Sequence, residues 1–142
     1  MTTAETKTTN LAAIRRFWEG FNSHNLNIWD EVCAPDFLNH DSGLPTPDAD
    51  LATIKQTIAH LMFGAFPDIQ AIEEDLFADG DKVVTRRTLQ GTHRGELMGI
   101  APTGKPVSVG GVWLSHLRNG KIVEQWVYFD LLGILQQVGA KR

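Results

Sequence analysis

The chain has a single cysteine, Cys33, in 142 residues, so no internal disulfide is possible and a reducing compartment such as the cytoplasm is expected. A reactive thiol needs a base or a positive field beside it. The charged neighbours of Cys33 in sequence are Glu31 and Asp36, so a structural thiol is expected. No apolar run approaches the roughly 18 residues that cross a bilayer. Residues 1–9 are polar and rich in threonine, without the apolar stretch of a secretory signal, and read as a frayed tail. Basic residues do not cluster and the net charge is −4, which argues against nucleic acid as a partner. His-Glu-x-x-His and paired cysteines are absent, so no metal site is expected. No Gly-x-Gly-x-x-Gly follows a strand, and Ser42, Ser108 and Ser115 sit in no Gly-x-Ser-x-Gly elbow. There is no internal repeat.

What is present is a run of helical periodicity followed by strands. Leu11, Ile14, Phe17, Trp18 and Phe21 recur at helical spacing over residues 10–21. Ile28, Trp29 and Val32 suggest a short second helix stopping near Pro35, and residues 44–47 read as a loop. A third helix begins at Asp48 or Asp50, carries Leu51, Ile54, Ile58, Leu61, Met62 and Ala65 on one face, and ends at Pro67. Then the period changes. Strands are expected over 69–78 and 82–92 around Asp79-Gly80, and over 107–118 and 121–130 around Asn119-Gly120, a strong hairpin signal. A closing helix over 131–138 would turn Leu132, Leu135 and Val138 inward. Helices first and antiparallel strands after argue for one α+β domain over residues 10–142, with helices covering one face of a curved sheet.

A two-residue turn at Asn119-Gly120 pairs Arg118 with Lys121 and allows a register to be counted outward. Trp113 then faces Trp126, Gly111 faces Tyr128 and Val109 faces Asp130, all on one side of the sheet. Val112, Leu114, His116, Val127 and Phe129 take the other. Both sides are apolar, so one is expected to line a cavity under the helices and the other to meet a second copy of the chain, giving a homodimer or higher homo-oligomer. On this count Asp130 is a carboxylate among aromatic groups. Burial there would raise its pKa and suit it to proton transfer. A second reading of Asp130 is a plain cap on the last helix.

The segments Phe66-Pro67-Asp68, Gly91-Thr92-His93-Arg94-Gly95-Glu96, Pro102-Thr103-Gly104-Lys105 and Asn119-Gly120-Lys121-Ile122-Val123-Glu124-Gln125-Trp126, then Asp130, together resemble the SnoaL-like polyketide cyclases. Asp36-Phe37-Leu38-Asn39-His40 and Gln136-Gln137-Val138-Gly139 extend the resemblance over nearly the whole chain. It implies the cone-shaped α+β fold of the NTF2-like superfamily, with N-terminal helices on a strongly curved, mostly antiparallel sheet. It implies an intramolecular aldol cyclisation without metal or organic cofactor, with Asp130 as acid/base and with Asn39 and His93 as its matching polar residues. The pattern departs on the penultimate strand, where Gly111 and Trp113 stand in place of a glutamine and a histidine. That departure implies a more apolar pocket, for a smaller or less polar ligand.

The expected catalytic set is therefore Asp130, His93 and Asn39, with Trp113, Trp126, Tyr128, Gly111, Val109 and His40 against a small, largely apolar carbonyl substrate. Asp130 would take a proton flanked by carbonyls and return it after ring closure, isomerisation or dehydration, while His93 and Asn39 hydrogen-bond the enolate oxygen. His93 in its glycine-rich turn, and His40 beside Asp41, have structural readings as well. Of Arg86 and Arg87, one should point inward and one outward. A small-molecule binding module without turnover and an interaction domain with a filled core are the alternative functions.

Overall fold

The computed structural model describes residues 2–139. Helix α1 spans Thr3–Asn22, and the side chain of Thr2 accepts from the Glu5 N–H at 3.1 Å to cap it. The expectation of a frayed tail over residues 1–9 is thus corrected (Met1 lies outside the described residues). Residues 3–9 contain no glycine or proline, and Glu5 in the first turn complements the helix dipole. A 3₁₀ turn, Leu26–Ile28, leads into α2, Trp29–Val32, and directly into β1, Cys33–His40. Strand β1 escapes the periodicity reading because Pro35 looks like a stop. It is accommodated where the β1–β6 register shifts between Cys33 and Leu38, a place where the ladder needs no N–H from it.

After the short β2, Asp48–Asp50, helix α3 covers Leu51–Thr57, with the Asp50 carboxylate accepting from the Thr53 N–H at 2.8 Å. The helix continues as a π-helical segment, Ile58–Phe63. Strands β3 (Gln70–Asp79), β4 (Lys82–Thr92), β5 (Pro106–Arg118) and β6 (Lys121–Phe129) follow, then α4, Leu131–Gln137. The sheet order is β2-β1-β6-β5-β4-β3, antiparallel except for the β1–β6 pair. The expected α+β architecture, helices on one face of a mostly antiparallel sheet, is present. Along α4 and at its C-cap, Ile134 and Val138 are buried and Leu135 is partly so, but Leu132 points outward at 63% exposure.

Arg118 does pair with Lys121 across the hairpin. After only two pairs, however, the register breaks. Leu117 pairs with Ile122 but His116 pairs with Glu124, so Val123 is an extra residue on β6. One extra residue reverses every later side chain on that strand. Trp113 consequently faces Val127, Gly111 faces Phe129, and Leu114 faces Trp126. The expectation that Trp126, Tyr128 and Asp130 share a face with Trp113, Gly111 and Val109 is overturned. Val127 and Phe129 take that inner side, and Tyr128 is 68% exposed on the outer one. Cross-strand pairing runs one outer row through Phe77, Val84, Leu114, Trp126, His40 and Asp48, one residue from each of the six strands.

The core lies between the inner face and the helices. Phe17 of α1 stacks on Trp29 with centroids 4.2 Å apart, and Trp18 meets Trp113 edge-on at 4.7 Å. Arg87 points inward, its guanidinium 4.6 Å over the Trp18 ring, with Nη1 donating to the Ala71 carbonyl at 2.9 Å. Arg86 points outward to Asp75. Cys33 is buried, and that burial pushes its thiol up to about 12, as a structural cysteine requires.

Candidate active site

Strand alternation along β1 turns Phe37 and Asn39 inward, and the chain continues into a turn that places Asp41 two residues further along the same side. Both Asn39 and Asp41 line a cavity of about 40 Å³. Its other walls are apolar: Phe17, Trp18 and Phe21 from α1, Ile54 from α3, Ile58 and Met62 from the π-helical segment, and Trp113, Val127 and Phe129 from the sheet.

Asp41 is the one carboxylate among the buried polar side chains of the described residues. Its Oδ1 accepts from the Gly43 N–H at 3.0 Å, and its own N–H donates to the Pro47 carbonyl at 2.8 Å. Burial among apolar groups raises its pKa above the ordinary carboxylate value, against a smaller lowering by the Gly43 hydrogen bond. Beside it, Asn39 presents its amide to the cavity. The parallel register pairs Asn39 with Gln125, and β5 pairs Ser115 with Gln125, so three polar side chains cross the inner face in one row. Gln125 Nε2 is buried without a partner among the described residues.

Of the residues expected from sequence, Asn39 and Trp113 meet at this cavity, and Gly111 lies beneath the Trp113 ring. Val109 is buried on the inner face but lines no part of the cavity. Asp130 does not reach it. Its side chain is exposed and caps α4, with Oδ1 accepting from the Gly133 N–H at 2.7 Å, so of its two readings the structure realises the cap. His93 is fully buried elsewhere, in the closed turn between β4 and β5. There its Nδ1 faces Thr103 Oγ1 at 2.9 Å and accepts from the Thr103 N–H at 3.3 Å. Trp126, Tyr128 and His40 belong to the outer face. His40 is held between Asp48 (2.7 Å) and Glu124 (2.6 Å), and these carboxylates, Asp48 first, raise its pKa.

Asp41 is not singled out as a base by the sequence, because the expected second helix stops near Pro35 and no element is expected between it and the loop at 44–47. The alternation of Phe37, Asn39 and Asp41 is the available signal. His40 and Asp41 are adjacent in sequence and point to opposite sides of the sheet. Among the described residues, no three His, Cys, Asp or Glu side chains are grouped to hold a metal ion, and no helix is long and apolar enough to cross a membrane.

Comparison with known proteins converges on one family. Residues 12–138 match the SnoaL-like polyketide cyclase profile. The aklanonic acid methyl ester cyclase AcmA of Streptomyces galilaeus is 27% identical over 136 residues, 91% of this chain and 90% of that protein. The corresponding cyclase DnrD of Streptomyces peucetius is 28% identical over 136 residues, 92% and 91% of the two chains. Among solved structures, IdmH of Streptomyces antibioticus superposes with a TM-score of 0.79 at 33% identity, covering 91% of this chain and 97% of its own. An NTF2-like protein of unknown function from Burkholderia pseudomallei shares the fold, with a TM-score of 0.76 at 18% identity over 93% and 98% of the chains.

Proposed function

This chain belongs to the SnoaL-like polyketide cyclase family, and on that premise we propose that it performs acid/base carbon chemistry on a small, largely apolar carbonyl compound, with Asp41 as the proton carrier. The observation that carries the reading is the burial of this carboxylate beside the Asn39 amide in an apolar cavity. A carboxylate whose charge is poorly solvated has a raised pKa, and so holds and releases a proton closer to neutrality.

The reaction balances on the chain's own groups. The Asp41 carboxylate removes a proton from carbon flanked by carbonyls, and the electron pair of that C–H bond becomes an enolate. The Asn39 Nδ2–H donates to the enolate oxygen, stabilising charge where it develops. The enolate carbon attacks a second carbonyl of the same molecule, and a carbon–carbon bond forms as that C=O becomes an alkoxide. Asp41, now protonated, returns its proton to the alkoxide. One proton leaves and comes back, so no external oxidant, reductant or cofactor is called on. The apolar walls favour a substrate with few polar groups.

The test needs no natural substrate. Exchange of the acidic C–H of a small β-keto ester with solvent deuterium is followed by NMR. The protein should accelerate exchange, and Asp41→Asn should lower the enzymic rate by about 10²–10⁴-fold. Equal rates for the two proteins would overturn the assignment.

We propose further that the outer sheet face seats a second copy of the chain. Val112 pairs directly with Tyr128 and Leu114 with Trp126 on that face, and Leu38 and Phe77 extend it at 40% and 58% exposure. Helices already cover the inner face, and an exposed apolar surface of this extent is characteristic of an interface.

A further inference from the structure

The cavity of about 40 Å³ holds little more than a water molecule, whereas small-molecule pockets run from roughly 300 Å³ upward. Across one wall lies a cleft of about 290 Å³ lined by Pro45, His60, Leu61, Glu96 and Met98. The wall consists of two pieces of chain, and on each of them neighbouring residues face opposite ways. Leu44 lines the cavity and Pro45 the cleft, while Ile58 and Met62 line the cavity and His60 and Leu61 the cleft.

Both pieces depart from regular structure. Leu44 is 6% exposed, yet Ser42, Gly43 and residues 45–48 around it are all exposed. Its loop closes through Asp41, whose carbonyl accepts from the Leu44 N–H at 3.1 Å and whose carboxylate accepts from Gly43. The facing piece is π-helical, with the Gly64 N–H reaching the Ala59 carbonyl five residues back at 3.1 Å. Such turns are rare and concentrate at functional sites. Beyond the cleft, Met98 stands 56% exposed at φ +47°, next to Gly99 at φ +86°.

We infer that Leu44 is a gate, and that the cavity and the cleft are the two halves of one channel for an elongated carbonyl compound. Its carbonyl end reaches Asn39 and Asp41. Its apolar body lies past Leu44 against Leu61 and Met98. This rests on the acid/base reading of Asp41 only for which end of the ligand goes in first. When Leu44 swings out, the turn that gives Asp41 its Gly43 hydrogen bond loosens too, so admission of substrate and release of the carboxylate are one motion.

The experiment uses two probes, 2-naphthol and 2-naphthol with a hexyl chain at carbon 6, in a Trp126→Phe background. Quenching of Trp18, Trp29 and Trp113, which line the cavity, reports arrival by stopped flow. Removing the gate with Leu44→Ala should speed association of both probes about tenfold, because the open form no longer has to be sampled. Leu44→Trp should slow both, and Met98→Glu should weaken only the hexyl probe. Melting curves confirm that each variant folds. Equal association rates across the Leu44 variants, an insensitive hexyl probe, or no quenching even in Leu44→Ala would overturn the channel. Loss of deuterium exchange in the wild-type protein, with these gating effects intact, would overturn the acid/base reading alone.

Discussion

Trp113 lies flat across Gly111. A Cβ built on Gly111 would come within 2.8 Å of the Trp113 ring atoms Cη2 and Cζ3 and within 2.9 Å of Phe129 Cβ. The bare backbone is what lets the indole lie along the strand and close one side of the cavity, with its edge against Trp18. Gly111→Ala should therefore displace the ring and destabilise the fold by about 1–3 kcal/mol, the usual cost of overpacking. Urea denaturation measures the loss, and an unchanged midpoint would contradict this packing.

Asp130 should matter to stability and not to turnover. Its cap on α4 predicts that Asp130→Ala costs about 1 kcal/mol, while Asp130→Asn, which keeps a capping oxygen, costs only a fraction of that. Deuterium exchange of the β-keto ester should proceed at the wild-type rate in Asp130→Asn. A fall as large as that expected for Asp41→Asn would show that the strand-end aspartate reaches the substrate after all.

The raised pKa of Asp41 has a signed consequence. The folded state favours the protonated form, so this group lowers stability as pH rises from the ordinary carboxylate range through its raised value. Activity as a base rises over the same window. Rate–pH profiles should show an ascending limb above the normal aspartate range, and Asp41→Asn should gain stability relative to wild type on the alkaline side of that limb. A limb at the ordinary aspartate value would contradict the burial argument.

His40 works in the opposite direction. Its pKa is raised by Asp48 and Glu124, so its stabilising contribution is complete below the unfolded histidine value and is lost as pH climbs through the raised one. Protection factors at the β2–β1 edge, which already allow for the intrinsic rise of amide exchange with pH, should therefore fall over that window. In His40→Ala that fall should disappear, and its persistence would place the titration elsewhere.

The outer face gives a prediction about assembly. Tyr128→Lys together with Val112→Lys places two charges in a directly paired position, and should convert a sedimenting dimer to monomer at micromolar concentration with the melting of the monomer fold retained. A wild-type protein that sediments as a monomer at all concentrations would remove the second copy.

Much of the architecture was determined by the sequence itself, because its signals are local. Helical spacing from Leu11 to Phe21, the Asp50 cap, and the turns at Asp79-Gly80 and Asn119-Gly120 are each decided by neighbours a few residues apart, and the segments shared with the SnoaL-like family follow the same order. What only the tertiary structure decided is which side chains share the pocket. A single extra residue, Val123, reverses the faces of β6. It therefore turns Trp126 and Tyr128 outward, brings Val127 and Phe129 in, and leaves Asp130 to cap a helix. Strand β1, hidden behind Pro35, finds its place only by pairing in parallel with β6, some ninety positions away in the chain. That long-range pairing is what carries Asp41 beneath the helices, where a carboxylate of ordinary appearance in sequence acquires its unusual surroundings.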